Sequence, residues 1–417
     1  MIKIYIEYKT QINNFLYLSI VYGVNIFLPL VLFPFLLHRL GEDLYGKVIF
    51  AQTIANYFLV FVNFGFNIST TKAISLNKDN RENINIIFSS TIYTKLILFF
   101  VSLLLTVLFC IIFGISKNDM MLYIVSLFIC FSDALLPIWF FQGIEKIKYI
   151  TIVNVSSRIL GAIFIILTVK NKDDYILIPL LYFLGNLFGA IISLYIAFRK
   201  ENVHLILVEK KNIIDRIKEG YVFLFSDFSS ILKDKGNITI IGIFLGMSYV
   251  VYYDLAEKII WAFRSVLYNM NVVFFPYIVK NNIKERVKKI IWAIFLCSCF
   301  SYAILYFFSD TIIYFISRDE NMFFINSFIH LMGVYLLLAT FSSCVGQFIL
   351  IVNNLEKFYL KSLLITSISY FCLIFMLYMM EVFSIESLIL VYNLSVFIEL
   401  VYRIYICKKK HLIGYVI

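Results

Sequence analysis

The chain has 417 residues, 62% of them hydrophobic and 15% charged, with a mean hydropathy of +0.90. That leaves too little polar surface to coat a water-soluble globule of this length. The net charge of +10 does not mark a nucleic-acid binder, because the basic residues collect in alternate hinges between apolar runs rather than on one face.

A helix gains about 1.5 Å per residue, so an apolar run of roughly 20 residues crosses the hydrocarbon core. The sequence predicts about twelve such spans, near 15–37, 47–70, 88–113, 121–141, 149–169, 175–198, 221–245, 250–276, 289–309, 323–351, 358–380 and 384–406. The first run, Phe15–Leu37, is too long for the apolar part of a signal peptide and lacks a small-residue cleavage site, so it is expected to stay as span 1. Pro29 and Pro34 lie inside it, where they either bend a gate or set a static kink. Gln52, Asn56, Asn63 and Asn67 line span 2, and Ser126, Cys130, Asp133 and Pro137 share a face of span 4. Span 5 carries Thr151, Asn154, Arg158 and Gly161 on one stripe.

Between spans 6 and 7, residues 199–220 hold Val203–Val208 and then Ile213, Ile214 and Ile217, interleaved with Lys210, Lys211, Arg216 and Lys218. This reads as an amphipathic helix lying in the membrane interface and linking two halves, 1–198 and 221–417. Lys233, Asp234 and Lys235 fall near the centre of span 7, and Asp227 shares a face with Asp234. On span 8, Glu257, Trp261, Arg264, Tyr268 and Asn271 step by four and three residues, giving a single polar and aromatic stripe.

The basic residues set the expected orientation. Lys3, Lys9, Lys78, Arg81, Lys146, Lys148, Arg199, Lys200, Lys210, Lys211, Lys284, Arg286, Arg403 and Lys408–Lys410 belong to the set of segments that includes both termini. The opposite set holds only Arg39, Lys47, Lys117, Lys170, Lys172 and Arg318. Both termini are therefore expected in the cytoplasm.

Two weak matches suggest an internal repeat. Leu40-Gly41 after span 1 corresponds to Leu245-Gly246 after span 7, and Glu145-Lys146 after span 4 to Glu356-Lys357 after span 10, at nearly equal offsets. An even number of helices per copy gives two six-helix lobes in the same orientation, related by an axis along the membrane normal. A central cavity between such lobes is a common transporter plan.

Charges at membrane depth carry the functional reading. A cation at the centre of a span costs roughly 2.5–3.5 kcal/mol on insertion scales. Arg158, Lys233, Lys235 and Arg264 together would cost on the order of 10 kcal/mol in lipid, comparable to the stability of a whole domain. They need water, partners or a substrate. One alternative is mutual pairing, for example Asp133 with Arg158, that only holds helices together. The excess of central cations over acids favours an anionic ligand, since Arg offers phosphate a planar fork of donors and Lys a point charge. Asp133, Asp227, Asp234 and Glu257 are candidates for ion coupling. The seven cysteines sit in or at the end of apolar runs without zinc-ligand spacing, and no catalytic triad or phosphate-cradling glycine loop is present. No metal, cofactor or enzymatic activity is expected.

Several segments resemble a known family. Span 1 with Pro29 and Pro34, then Leu40-Gly41, Tyr45-Gly46 and Asn63-Phe-Gly-Phe-Asn67, resembles the opening of the O-antigen flippases. Pro137-Ile-Trp-Phe-Phe-Gln-Gly-Ile-Glu-Lys146, and Tyr252-Tyr253 with Ala256-Glu-Lys258, do the same. A departure is Val251, where the family usually carries the Gly of a Gly-x-Tyr pair. The resemblance implies an all-α integral membrane protein of the multidrug/oligosaccharidyl-lipid/polysaccharide exporter superfamily, a MATE-like bundle. It also implies transport of an undecaprenyl-pyrophosphate-linked oligosaccharide from the cytoplasmic to the periplasmic leaflet of the bacterial inner membrane. A polysaccharide polymerase and a chain-length regulator are the partners such a pathway suggests. The proposed substrate contacts are Arg158, Lys233, Lys235, Arg264, Trp261, Asn56 and Asn63. A cation-coupled drug antiporter of the same fold would favour acidic cavity residues. A membrane polymerase would typically carry a long periplasmic loop with basic catalytic residues, which this sequence lacks.

Overall fold

The structure, a computed structural model, describes residues 2–280 and 283–415; the side chains of residues 2–16, 18, 22, 226, 276 and 280, including Lys3 and Lys9, lie outside the description. Among the described residues every regular element is a helix. Backbone contacts gather them into two compact units, Met1–Thr239 and Ile240–Ile417.

The first unit contains α1 (Ile2–Leu40), α2 (Glu42–Asn63), α3 (Phe66–Leu76), α4 (Arg81–Ile112), α5 (Lys117–Leu135), α6 (Ile138–Gly143), α7 (Ile147–Thr168), α8 (Leu177–Arg199) and most of α9 (Lys210–Phe244). Local chemistry sets the ends. Asn80 caps α4 by accepting from the Asn83 amide at 3.0 Å, and Ser116 caps α5 through the Asp119 amide. The break between α2 and α3 places Phe64 and Gly65 at φ of 45° and 71°. A Cβ on Gly65 would collide with Phe223, and one on Gly220 with the Phe64 carbonyl, so bare backbone on both sides lets α9 cross this break. Pro137 has no amide to give and separates α5 from α6.

Packing in the first unit relies on aromatic contacts and small residues, because lipid offers helices no hydrophobic drive to associate. Phe88 meets Trp139 and Phe140 with ring centroids 5.3 and 5.4 Å apart, all three fully buried. Gly185-Asn-Leu-Phe-Gly189 lays two bare turns of α8 on α7. A Cβ on Gly185 would stand 2.6 Å from the Ser157 carbonyl, and one on Gly189 would overlap the Ser157 hydroxyl.

The second unit contains α10 (Met247–Lys280), α11 (Lys284–Phe307), α12 (Ser309–Ser317), α13 (Asn326–Cys344), α14 (Glu356–Met379) and α15 (Ile385–Lys409). Helix α13 runs into a wider π turn over Val345–Ile351. Ser384 opens α15 with a capping box shared with Ser387. Ile278, Val287, Ile291, Phe348, Ile349 and Cys407 form the core here.

Among the described residues, ten helical spans are long and apolar enough to cross a membrane. Spans 7 and 8 of the sequence reading are α9 and α10. They have 35 and 34 residues, ample length, but their charged residues set them apart from the apolar ten.

The segment 199–220 is not one interfacial helix. Residues 201–209 carry no helix, and α9 starts at Lys210 and continues without a break into span 7. The cause is tertiary. The His204 amide donates to Asn85 Oδ1 and the Ile206 amide to Ser89 Oγ, both at 2.9 Å, so side chains of α4 hold this backbone extended.

Candidate functional site

In the first unit the central feature is Arg158, midway along α7 and half-buried. Its Nε is buried without an acceptor, and among the described residues no hydrogen bond or ion pair engages the side chain. Asn25 Oδ1 on α1, Asn63 Oδ1 on α2 and Ser126 Oγ on α5 are also buried and unsatisfied by protein. Groups of this kind are met by ordered water or by a ligand.

The pair of Asp133 with Arg158, the alternative weighed above, does not form. Asp133 accepts from Lys95 of α4, whose Nζ lies 3.0 Å from Oδ2 and 2.8 Å from the Asp133 carbonyl. Lys95 is 1% exposed and was not among the expected site residues. Its ammonium neutralises the carboxylate and also satisfies a carbonyl beside the break before Pro137. Among the described residues Arg158 is thereby left without a counter-charge.

Lys233, Asp234 and Lys235 are half-buried on α9, and none of the three is without a partner. Successive helical residues are about 100° apart, so Lys233 and Lys235 stand on nearly opposite sides. Lys235 is on the side of Thr239, one turn on, whose hydroxyl bonds Tyr57 of α2 at 2.8 Å. That places Lys235 on the face turned to α2, where Asn56 is the neighbour of Tyr57, and Lys233 on the far face. Asp227 is half-buried, and among the described residues nothing hydrogen-bonds it.

In the second unit, Arg264 of α10 packs on two rings. Its guanidinium carbon is 4.4 Å from the Trp261 centroid and 5.0 Å from the Tyr335 centroid. Trp261 is itself 38% exposed. Stacking fixes the plane of the guanidinium and directs its N–H groups edgewise. The same stripe becomes structural at its other end, where Asn271 bonds Ser343 and Cys344. Glu257 is engaged with a neighbour, and Asp254 pairs with Lys258 one turn on.

Sequence reasoning missed a buried network in this unit. Arg403, counted above among the cytoplasmic cations, is 2% exposed inside α15. It pairs with Glu399 at 2.9 Å and donates to the Ser342 carbonyl and to the Ser342 and Ser362 hydroxyls. Glu399 also accepts from Ser342 and Thr366. Gly346, in the π turn, leaves room for the guanidinium, as a Cβ there would lie 2.8 Å from Nη1. The signal was an acid and a base four residues apart within one apolar run.

Long apolar helices that bury unsatisfied polar groups define a multi-pass membrane protein. The chain belongs to the polysaccharide biosynthesis protein family, which it matches over residues 12–282. Among curated proteins it is 26% identical over 354 residues to the "Putative O-antigen transporter" of Shigella dysenteriae, covering 83% of this chain and 87% of that one. It is 27% identical over 285 residues to the protein of the same description from Escherichia coli (strain K12), 67% of each chain. Among solved structures it resembles the lipid II flippase MurJ in an inward closed conformation, with a TM-score of 0.76 at 13% identity over 95% of this chain and 87% of that one. An inward-facing MATE family multidrug transporter of the MOP superfamily gives 0.69 at 12% identity, over 94% and 98%. At these identities the structural likeness is one of fold.

Proposed function

We propose that this protein carries a lipid-linked surface-polysaccharide repeat unit, borne on undecaprenyl pyrophosphate, from the cytoplasmic to the periplasmic leaflet of the bacterial inner membrane. The observation that carries this reading is Arg158, a cation within a span that has no counter-charge among the described residues. An anion with a diphosphate supplies the missing partner. The relatives described as O-antigen transporters support the cargo class. The cycle is alternating access between two lobes, expected from the sequence at 1–198 and 221–417 with 199–220 as their link and divided by backbone contacts at Thr239, with both termini in the cytoplasm.

In this mechanism the polyprenyl tail stays in lipid while the charged head group passes through protein. Arg158 takes the diphosphate, with Lys235, on the α2 face of α9, as the second cation of the first unit. Asn56 and Asn63 offer amide donors and acceptors to sugar hydroxyls. In the second unit Arg264, aligned by Trp261 and Tyr335, offers a cation for an anionic ligand, and Trp261 a face for sugar stacking. Lys233 is the weaker assignment, since it faces away from Lys235. Of the acids considered for ion coupling, Asp133 is held by Lys95, and Asp234 and Glu257 have partners. Asp227 is therefore assigned to take up the coupling proton or sodium ion.

The test is leaflet-resolved transport of a defined lipid-linked oligosaccharide by purified protein in liposomes. Arg158→Ala and Arg158→Glu should lower the rate at least tenfold, and Arg158→Lys less. Full activity in Arg158→Glu would remove Arg158 from the site. No transport by the unaltered protein would end the reading itself.

A further inference from the structure

We infer that the extended segment 201–209 is a docking site for anionic phospholipid headgroups at the membrane surface. The segment leaves α8 at Arg199 and enters α9 at Lys210, so it lies where a span ends. It is not a free loop. Val203 is fully buried and its amide bonds the Ala197 carbonyl, while His204 and Ile206 are tied to Asn85 and Ser89 in the first turns of α4. By the alternation of an extended chain Leu205 and Leu207 share a side with Val203, and exposure rises along that side from the buried Val203 beside the end of α8 to Leu207. Leu207 is 96% exposed, more than any other large apolar side chain described, and Leu205 is 43% exposed. A fixed backbone that holds up bare leucines at the end of a span fits insertion into the boundary between headgroups and acyl chains.

Charge identifies the occupant. Arg199, Lys210 and Lys211 flank the segment, are exposed, and among the described residues have no acid partner. Of the two acids in the segment, Glu201 is 8% exposed and already held by Lys146, with both carboxylate oxygens 2.7 Å from Nζ, while Glu209 is exposed and offsets one of the three cations. What remains exposed is mainly cationic. A site that combines two leucines with unpaired cations fits a lipid carrying a net negative headgroup, each cation contributing roughly a fivefold preference over a zwitterionic surface. This inference does not rest on the transport reading.

The experiment places an environment-sensitive fluorophore at Leu207→Cys in the full chain, with exposed Cys297 and Cys372 replaced by Ala, and reconstitutes it in two kinds of vesicle. One is phosphatidylcholine alone and the other contains phosphatidylglycerol. Blue-shifted emission and quenching by brominated acyl chains should be at least severalfold stronger with phosphatidylglycerol. Arg199→Glu with Lys210→Glu and Lys211→Glu should abolish that difference. Leu205→Cys provides a second reporter if the first fails to fold. Water-like emission in both vesicles overturns the proposal. So does equal quenching in both, which would show apolar contact without headgroup recognition, and so does protection seen only when a second protein is added.

Discussion

Arg158 and Arg403 show how one residue type takes opposite roles in the same membrane. Arg403 donates to two hydroxyls, a carbonyl and the Glu399 carboxylate, and is closed to anything else. Among the described residues Arg158 has no such shell. Removing one member of a buried pair leaves the other uncompensated, at about 3–5 kcal/mol. Glu399→Gln and Arg403→Met should each lower the melting temperature of the detergent-solubilised protein sharply, and the double variant should recover much of the loss. Additive losses would show that the two side chains are not coupled. Arg158→Met, by contrast, should leave the melting temperature unchanged or raised while abolishing transport. The stripe containing Arg158 was legible in the sequence, because a cation deep in an apolar run stands out. Its freedom from Asp133 was not. Lys95 lies toward the start of the span expected over 88–113, whereas α4 begins at Arg81 and carries Lys95 well inside. Which acid it meets depends on how α4 and α5 pack, and no spacing rule contains that.

Helices α7 and α8 position Arg158, and their contact depends on what is missing from Gly185 and Gly189. The hydroxyl of Ser157, the residue before Arg158, occupies the place a Gly189 side chain would need. Gly189→Ala should therefore destabilise the protein by about 1–3 kcal/mol through overpacking, shift α7 and lower transport. Ser157→Ala in the same chain removes the offending hydroxyl and should restore both. Failure of the second change to rescue would separate this contact from function. The spans were readable because length and apolarity are local properties. Even α9 and α10, which carry the charges, form where expected. The extended form of 203–208 was not readable. Its apolar and basic residues suit an amphipathic helix, and the hydrogen bonds that the His204 and Ile206 amides donate to Asn85 and Ser89 decide against it.

Across the whole chain the sign of the buried charge makes a prediction about energetics. An interior-negative potential drives an anion outward with about 2.3 kcal/mol per charge per 100 mV. A diphosphate diester carries two negative charges, so its unaccompanied passage would be strongly voltage-dependent. A protein cation that moves with the cargo cancels part of that charge. On the proposed reading Arg158, which has no acid partner among the described residues, pairs with the cargo and moves with it, and so lowers the charge that crosses the field. In proteoliposomes with an imposed potassium diffusion potential, interior-negative voltage at the cargo-loading side should raise the translocation rate, with an apparent valence below two. Arg158→Gln should slow transport at zero potential and at the same time raise the apparent valence, because the cargo then crosses with less of its charge offset. A merely structural role for Arg158 predicts a slower rate with the valence unchanged. A rate that does not respond to voltage in either protein would mean that compensating ions cross with the cargo, and would move attention to Asp227, the half-buried acid on α9 that nothing in the protein hydrogen-bonds among the described residues.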